Sequence, residues 1–301
     1  MAELAWGFIL AAYLFVGGMA GGAYIVSALA DLLGKGKFKV VSKSGAYMSL
    51  ILIIVGLVLL VFDLGRFEVD PLGVLNAYLH FPTSIMSLGT WIITAFTITA
   101  LVTSVLWLLD GLEWVRKIVE IFGIVLGLST SAYTGILLSF ARGVPVWGSP
   151  YLPWLFVLSG TLTGLALSLL MIPVISWFMP RLFREFRALY SNKPDMATMI
   201  GYLERYGTIL TVLELAVLVI YLGTSSMASV YWTASAVSIW FFAYIVLGLL
   251  APLGINYYNA TLERSKSYET VAYLAIASQA LVLFGGLLLR YVILIGGQLA
   301  A

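Results

Sequence analysis

The chain has 301 residues, of which 62% are hydrophobic and only 10% are charged, and its formal net charge is +2. Soluble domains are about a quarter charged, so a chain of this composition would expose too much apolar surface to water. The composition therefore excludes a soluble globular protein and indicates an integral membrane protein with several spans. The small net charge does not indicate nucleic-acid binding, and we expect no nucleic-acid partner.

The cysteine and histidine content limits the cofactors that the chain can hold. Cysteine is absent, and His80 is the only histidine. Disulfides, iron–sulfur clusters and thiolate metal sites are therefore excluded, and so is a haem held by two histidines within the helices. We expect no haem, no iron–sulfur cluster and no metal site in this chain.

Eight segments are apolar for long enough to cross a bilayer, whose hydrocarbon core of about 30 Å needs roughly 20 residues of helix. No Lys or Arg precedes the first of them, so we expect it to be a retained span and not a cleaved signal peptide. The predicted fold class is an all-α integral membrane protein with eight transmembrane helices. Their approximate limits are 5–31, 45–64, 87–109, 118–141, 152–178, 206–224, 232–254 and 270–297.

The distribution of Lys and Arg predicts which loops face the cytoplasm. Of the 16 basic residues, only Arg66, Arg142 and Arg290 do not follow spans one, three, five or seven. Because basic loops stay on the cytoplasmic side, we expect both termini to lie outside the cytoplasmic membrane of the cell. The basic residues that predict this orientation are Lys35, Lys37, Lys39, Lys43, Arg116, Lys117, Arg181, Arg184, Arg187, Lys193, Arg205, Arg264 and Lys266.

Small residues indicate where two spans approach each other closely. The first span carries Gly17 and Gly21, and the fifth carries Gly160 and Gly164. A spacing of four residues lets helix backbones come into contact, and each pair occurs on the first helix of a four-helix half. We therefore predict two four-helix bundles, an N-terminal one at 1–145 and a C-terminal one at 146–301.

Two segments between the spans are amphipathic or aromatic. In PRLFREFRALY (180–190) the apolar side chains fall on one helical face and the charged ones mostly on the other, which predicts an interfacial helix. Between spans four and five, Trp147, Tyr151 and Trp154 occur among three prolines and are typical of an aromatic belt at the membrane surface. A structural role accounts for both segments.

Ionisable residues inside membrane spans are energetically expensive and therefore suggest function. Glu214 lies near the middle of span six, and Arg290 lies about 10 Å from the outer end of span eight. We favour a structural pair between them, and the alternative is a proton relay through Glu214. Asp31, at the end of span one, is expected to pair with a nearby lysine. Asp63 and Arg66, at the end of span two, fit either a salt bridge or a ligand site.

Two tyrosines lie at matching depths in the membrane. Tyr133 is about 12 Å from the outer end of span four, and Tyr13 is about equally far from the start of span one. Span one runs inward and span four outward, so both tyrosines lie on the side where Asp63 ends span two. A buried tyrosine usually only satisfies a neighbouring carbonyl, but the shared depth favours a ligand site formed by these three residues.

Five stretches follow one another along the chain with a recognisable order and spacing. They are FVGGMAGGAYIVSALADL (15–32), VFDLGRF (61–67), HFPTSIMSLGTW (80–91), SAYTGILLSFARGVPVW (131–147) with PYLPWLFVLSG (150–160), and GGLLLRYVILIGGQ (285–298). Together they resemble the membrane subunit of polysulfide reductase and its relatives, the NrfD/PsrC-like family.

The resemblance implies an eight-helix subunit of two four-helix bundles that holds no redox cofactor of its own. Such a subunit exchanges electrons between membrane quinone (menaquinone or ubiquinone) and an iron–sulfur subunit of the four-cluster ferredoxin type on the outer face. That partner usually connects to a molybdopterin catalytic subunit. The family's quinone pocket lies in the first bundle near the outer face, which agrees with the depth of the three predicted site residues.

Individual positions of the family's site map onto this sequence. The pocket tyrosine falls on Tyr133, and a position that is histidine in polysulfide reductase falls on Tyr13. That difference keeps a hydroxyl able to bond a quinone but removes a histidine that could titrate. Asp63 and Arg66 match the DLGR-like end of the family's second helix.

These observations predict a quinone-binding membrane anchor of a respiratory oxidoreductase complex, with a role in electron transport and anaerobic respiration. Tyr13, Asp63 and Tyr133 are expected to contact the quinone. The basic and histidine side chains Arg66, His80 and Arg142 are expected at the rim of the site or at the interface with the iron–sulfur subunit.

Two other classes of protein remain open. A transporter or channel would have broken helices and polar clusters near the membrane midplane in both halves, and only Glu214 meets that description. A purely structural anchor would hold its partners without contacting quinone. Whether the chain contributes to catalysis depends on which of these classes is correct.

Overall fold

The computed structural model describes residues 6–63, 78–79, 84–109, 111–141, 144–181, 183–191, 193–225, 228–262 and 268–300, and within these ranges it contains helices and no β-strand. The helices are α1 (Phe8–Leu33), α2 (Lys39–Asp63), α3 (Ile85–Leu108), α4 (Glu113–Ser139), α5 (Leu152–Phe178), α6 (Arg184–Ser191), α7 (Lys193–Thr224), α8 (Val230–Thr233), α9 (Ser235–Ala243), α10 (Ala251–Leu262) and α11 (Tyr268–Ala300). A 3₁₀ turn (Pro145–Gly148) precedes α5, and a π-helical segment (Tyr244–Leu250) joins α9 to α10.

Eight of the described segments are long and apolar enough to cross a membrane, as predicted. Seven are single helices (α1 to α5, α7 and α11), and the eighth runs from α9 through the π-helical segment into α10. Three helices start earlier than predicted, α2 at Lys39, α4 at Glu113 and α7 at Lys193. The predicted limits followed the apolar run in the sequence, which ends at the first charged residue. The helix itself can continue through polar residues whose side chains reach water at the membrane surface, so it is longer than the apolar run.

Glycines place α1 in direct backbone contact with α5. A Cβ added to Gly22 would overlap the carbonyl oxygen of Gly160, and a Cβ added to Gly160 would lie 2.6 Å from the carbonyl oxygen of Gly18. Gly21 instead faces α4, where a Cβ would overlap the carbonyl oxygen of Gly127. The predicted close approach therefore exists, but its α1 residues on the α5 side are Gly18 and Gly22.

The helix contacts follow the chain order within each half. In the first half α1 packs on α2, α2 on α3, α3 on α4 and α4 on α1. In the second half α5 packs on α7, α7 on α10, α10 on α11 and α11 on α5. Helix α5 also packs on α1, α2 and α4, so it belongs to the interior of both halves. The division into bundles at residue 145 stays a prediction.

The predicted interfacial helix corresponds to α6, which is attached to the start of α2 by both apolar and charged contacts. Phe183 and Phe186 are buried in a cluster with Val41 of α2. On the other face of α6, Glu185 accepts a hydrogen bond from Lys43 Nζ at 3.0 Å, and Lys39 Nζ lies 3.6 Å away. Partial burial acts to raise the pKa of Glu185, but its backbone hydrogen bond and Lys43 outweigh that effect and hold the pKa below its usual value.

Asp31 pairs with an arginine of another helix, so the expected pairing with a lysine is wrong. Arg116 of α4 donates from Nη2 and Nε to Asp31 Oδ2 at 2.9 and 3.1 Å. The guanidinium lies 3.6 Å from the ring centroid of Trp107, and Glu120 Oε1 lies 3.6 Å from Arg116 Nε. Arg116 is only 6% exposed, so this residue is a buried helix connector and not a loop charge.

We expect Gly22→Ala to destabilise the protein by about 1–3 kcal/mol, the usual penalty for overpacking, because the added methyl meets rigid backbone of α5. Gly17→Ala on the same helix is the matched control, since the nearest atom to its Cβ is 3.8 Å away. Thermal unfolding of both variants in detergent measures the difference. Equal unfolding temperatures for the two variants would contradict the backbone contact.

Candidate functional site

A cavity of about 640 Å³ lies where α1 begins and α2 ends, between the first four helices. We call it the Tyr13–Tyr133 cavity. The first turns of α1 contribute Leu10 and Tyr13, the last turn of α2 contributes Leu60, and the second half of α4 contributes Tyr133 and Leu137. The cavity therefore lies among helix ends that the predicted topology places on the outer side of the membrane.

The two tyrosines predicted from their depth both line this cavity. Tyr13 is 2% exposed and Tyr133 is 6% exposed, so both side chains are almost wholly enclosed. The Tyr133 ring lies against α3 at Gly89, where a Cβ would overlap the ring. In the described part of the chain neither hydroxyl makes a hydrogen bond, which leaves two donors available to a ligand in an otherwise apolar space.

The remaining walls are mainly apolar. Ile85, Ile93 and Val144 line the cavity beside the leucines, and the polar contributions include Ser84 and Thr90. The Thr90 hydroxyl already donates to the carbonyl oxygen of Met86 in its own helix, at 2.9 Å. The cavity thus suits a largely apolar ligand that carries one or two hydrogen-bond acceptors.

One wall consists of two stacked tryptophans held by the last turns of α11. The rings of Trp6 and Trp147 are 5.3 Å apart and nearly parallel, at 10°. Gln298 Nε2 donates to the carbonyl oxygen of Trp6 at 2.9 Å, and its Oε1 accepts from the Trp6 N–H at 2.9 Å. Trp147 Nε1 donates to the carbonyl oxygen of Ile293 at 2.8 Å. These contacts attach the segment before α1 to the opposite end of the chain.

Trp147 is therefore not part of an aromatic belt, because it is 1% exposed. Trp154, at 64% exposed, fits the predicted belt, and Tyr151 is 36% exposed. Sequence reasoning also missed Gln298 and Trp6 as cavity residues. The available signal was the position of Gln298 at the end of the stretch GGLLLRYVILIGGQ, where a polar side chain ends an apolar span.

Four other predicted site residues cannot be placed in the cavity. Asp63 is the last residue of α2, nearly one turn beyond Leu60, and its side chain is not among those described. Arg66, His80 and Arg142 lie outside the described residues. The described cavity thus contains the two tyrosines of the predicted site.

Glu214 and Arg290 are buried elsewhere, with exposed fractions of 1% and 0%. Among the described residues no ion pair within 4 Å joins them, but their opposite charges interact electrostatically, so the structural pair stays a prediction. Arg290 donates to Ser159 Oγ and to the carbonyl oxygen of Phe156 at 3.2 Å. Glu214 accepts from the Tyr244 hydroxyl at 2.8 Å.

Arg290 connects helices from both halves of the chain. Its guanidinium lies 4.9 Å from the ring centroid of Phe156 in α5. A Cβ added to Gly18 of α1 would be 3.2 Å from its Nη2. Among the described residues, no three His, Cys, Asp or Glu side chains come together to hold a metal ion. Each of the two buried charges is thus held by hydrogen bonds to groups of a neighbouring helix.

Comparison with known proteins supports one family. The family model described as polysulphide reductase, NrfD, matches residues 1–301. The sequence is 26% identical to the C subunit of the polysulfide reductase of Wolinella succinogenes, over 97% of its own length and 94% of that protein. It is also 26% identical to protein NrfD of Escherichia coli, over 99% of its length and 96% of the relative.

A third relative is similar over part of the sequence. It is the Hdr-like menaquinol oxidoreductase integral membrane subunit of Archaeoglobus fulgidus, 26% identical over 54% of the present sequence and 40% of that protein. The family model covers every residue, and the described helices have the spans of an integral membrane protein. The chain is therefore a member of the NrfD polysulphide reductase family and a membrane anchor subunit of a respiratory complex.

Proposed function

We propose that this subunit binds membrane quinone in the Tyr13–Tyr133 cavity and exchanges electrons between it and an external iron–sulfur subunit. The observation that carries the proposal is the pair of enclosed tyrosine hydroxyls, both without a protein partner in the described chain and both facing one apolar cavity. The similarity to a menaquinol oxidoreductase subunit supports menaquinone or ubiquinone as the ligand class.

The cavity fits a quinone in both shape and polarity. Its apolar walls of leucine, isoleucine and valine suit an aromatic headgroup and the first part of an isoprenoid tail. The Tyr13 and Tyr133 hydroxyls donate hydrogen bonds to the oxygens of the quinone, or accept them from those of the quinol. When bound, the quinone supplies two-electron, two-proton redox chemistry, whereas the protein orients the headgroup and excludes bulk water.

The partners in this proposal follow from the family. The iron–sulfur subunit, of the four-cluster ferredoxin type, docks at the end of the molecule that carries the cavity, and it connects to a molybdopterin catalytic subunit. Asp63 completes the quinone site at the end of α2. Arg66, His80 and Arg142 belong to its rim or to the docking interface. This arrangement requires both termini to lie outside the cell and the cavity to lie near the outer face of the cytoplasmic membrane.

A proton-translocating role for the second half of the chain rests on Glu214. Its Oε1 accepts from Tyr244, but its buried Oε2 has no hydrogen-bond partner in the described chain. Burying a charged carboxylate with one unpaired oxygen is expensive, and protonation lowers that cost because it removes the charge. Glu214 is thus the residue through which we propose proton exchange within the membrane.

Tyr133→Phe should raise the KM for quinol by roughly 3- to 10-fold in the assembled complex, because a neutral hydrogen bond contributes about 0.5–1.5 kcal/mol. Assembly should be unchanged, since the hydroxyl has no protein partner in the described chain. Tyr24→Phe is the matched control, because this buried tyrosine bonds Thr103 at 2.6 Å and does not line the cavity. Steady-state kinetics with a soluble quinol measures the effect, and an unchanged KM in Tyr133→Phe would refute the site.

Gln298→Leu should loosen the Trp6 wall of the cavity, because both hydrogen bonds to the Trp6 backbone disappear. Hydrogen exchange of the Trp6 amide should become at least about tenfold faster, in line with the loss of one or two hydrogen bonds. Gln298→Glu keeps only the acceptor and should give an intermediate rate. An exchange rate that is insensitive to both substitutions would show that Gln298 does not hold this segment.

Glu214→Gln should lower the number of protons translocated per electron while quinol oxidation continues, because the amide cannot carry an exchangeable acid proton. Proteoliposomes with a pH indicator measure this ratio. Glu113→Gln, at the exposed start of α4, is the control substitution. An unchanged ratio in Glu214→Gln would remove the residue from the proposed mechanism and leave the quinone site intact.

A further inference from the structure

A second group of buried ionisable side chains lies in the first half of the chain, at the end opposite the Tyr13–Tyr133 cavity. Asp31 belongs to the last turn of α1, and Arg116 and Glu120 belong to the first two turns of α4. Their exposed fractions are 9%, 6% and 0%. We call these three residues the Asp31–Glu120 cluster. It shares no residue with the cavity, and none of the chemistry proposed above uses it.

Glu120 is a fully buried carboxyl group that receives no hydrogen bond. Among the described residues, no N–H or O–H donates to either of its oxygens. Arg116 Nε lies 3.6 Å from Glu120 Oε1, which is too far for a hydrogen bond. The guanidinium instead donates from Nε and Nη2 to Asp31 Oδ2, at 3.1 and 2.9 Å. The arginine therefore stabilises a negative charge on Asp31 better than one on Glu120.

The charges of the cluster balance only when it holds one proton. With both carboxyl groups ionised, one guanidinium faces two carboxylates, so one negative charge is left over. The nearby cation Lys43, whose Nζ lies 5.8 Å from the ring centroid of Trp107, already forms an ion pair with Glu185 at 3.0 Å. An unbalanced charge is strongly unfavourable away from water, which favours the neutral form with one proton.

Aromatic side chains separate Glu120 from bulk water. The guanidinium of Arg116 lies 3.6 Å from the ring centroid of Trp107, which is 1% exposed. Tyr24 is also 1% exposed, and its ring lies against α4 three residues after Glu120, where a Cβ added to Gly123 would overlap it. Solvent therefore does not stabilise a charge on Glu120.

The two carboxyl groups are close enough to share a proton. Glu120 lies within hydrogen-bonding reach of Asp31. Ionised carboxylates only accept hydrogen bonds and repel each other, whereas a carboxyl group that keeps its proton donates to its neighbour. A metal ion fits this place poorly, because no third acidic or histidine side chain of the described chain joins the two and a guanidinium lies beside them. A proton needs only the two oxygens.

We propose that Asp31 and Glu120 form a proton-binding site that holds one proton between their carboxyl groups at neutral pH. Glu120 carries the proton and donates a hydrogen bond to Asp31, whose carboxylate is bonded to Arg116. The proton enters and leaves through Asp31, the more exposed of the two acids. Release of the proton to water leaves the cluster with one negative charge and breaks the bond from Glu120 to α1. The bound proton therefore stabilises the contact between α1 and α4.

Infrared spectroscopy of the purified protein tests the site directly, because a protonated carboxyl group has a C=O stretching band that a carboxylate lacks. At neutral pH, Glu120→Gln is expected to remove one such band, which in the unsubstituted protein shifts in heavy water. The glutamine amide still offers an N–H donor to Asp31, so the variant should fold. Glu113→Gln, at the exposed start of the same helix, is the matched control and should leave the band in place. A Glu120→Gln spectrum that keeps every carboxylic acid band would overturn the proposal.

The pH dependence of unfolding in detergent is a second test, which begins with the unsubstituted protein. The unfolded chain releases the proton near the ordinary pKa of glutamic acid, about 4.3, whereas the native site keeps it. The native state then binds more protons, so stability falls as pH rises above that value until the native site is deprotonated. The unfolding equilibrium constant should increase by up to about tenfold per pH unit for this one proton.

Glu120→Gln should lack this contribution to the pH dependence. The comparison cancels the titration of the other ionisable groups around the site, which are Tyr24, Asp31, Lys43, Arg116, Lys117 and Glu185. An identical pH dependence in both proteins would contradict the shared proton. A stability of the unsubstituted protein that responds to sodium concentration and not to pH would show that a metal cation occupies the site instead. Both readouts are independent of quinone turnover.

Discussion

The backbone contact between α1 and α5 is the constraint on which the rest of the structure depends. Gly18, Gly22 and Gly160 allow the two helices to approach until carbonyl oxygens occupy the space of missing side chains. In a membrane, such contacts replace the hydrophobic driving force that water would supply, because the lipid is as apolar as the helix. Helix α5 can then pack on helices of both halves of the chain.

The same close approach provides a place for Arg290. The guanidinium lies beside Gly18, donates to Ser159 and Phe156 of α5, and faces the ring of Phe156. A buried cation is strongly unfavourable unless its donors are satisfied, and here oxygens of Ser159, Phe156 and Gly286 accept hydrogen bonds from Nη1 and Nη2. The buried Nε has no hydrogen-bond partner among the described residues. Arg290 is therefore best described as a connector of α1, α5 and α11, and Glu214 accepts a hydrogen bond from Tyr244.

The two cavities differ in chemistry because different side chains lie at the helix ends that line them. The Tyr13–Tyr133 cavity has phenol hydroxyls, an apolar interior and a tryptophan wall fastened by Gln298. A cleft at the opposite end of the molecule, lined by Met199, Glu204 and Gln279 among others, has mainly apolar walls with carboxyl and amide groups. At that same end of the molecule, ion pairs join α1 to α4 through Asp31 and Arg116, and α2 to α6 through Lys43 and Glu185.

The sequence alone determined the fold class, since crossing a bilayer requires long apolar helices and their number can be counted along the chain. It also indicated Tyr13 and Tyr133, because depth in a membrane follows from position in a helix. Only the tertiary structure showed which side chains are in contact. Asp31 forms an ion pair with Arg116, Glu214 accepts a hydrogen bond from Tyr244, and the buried Trp147 stacks on Trp6. Adjacent residues point about 100° apart around a helix, so whether Gly17 or Gly18 meets α5 depends on how the helices are rotated against each other. That rotation is set by packing between distant parts of the chain, so it cannot be predicted from the length of the apolar runs or from the spacing of residues.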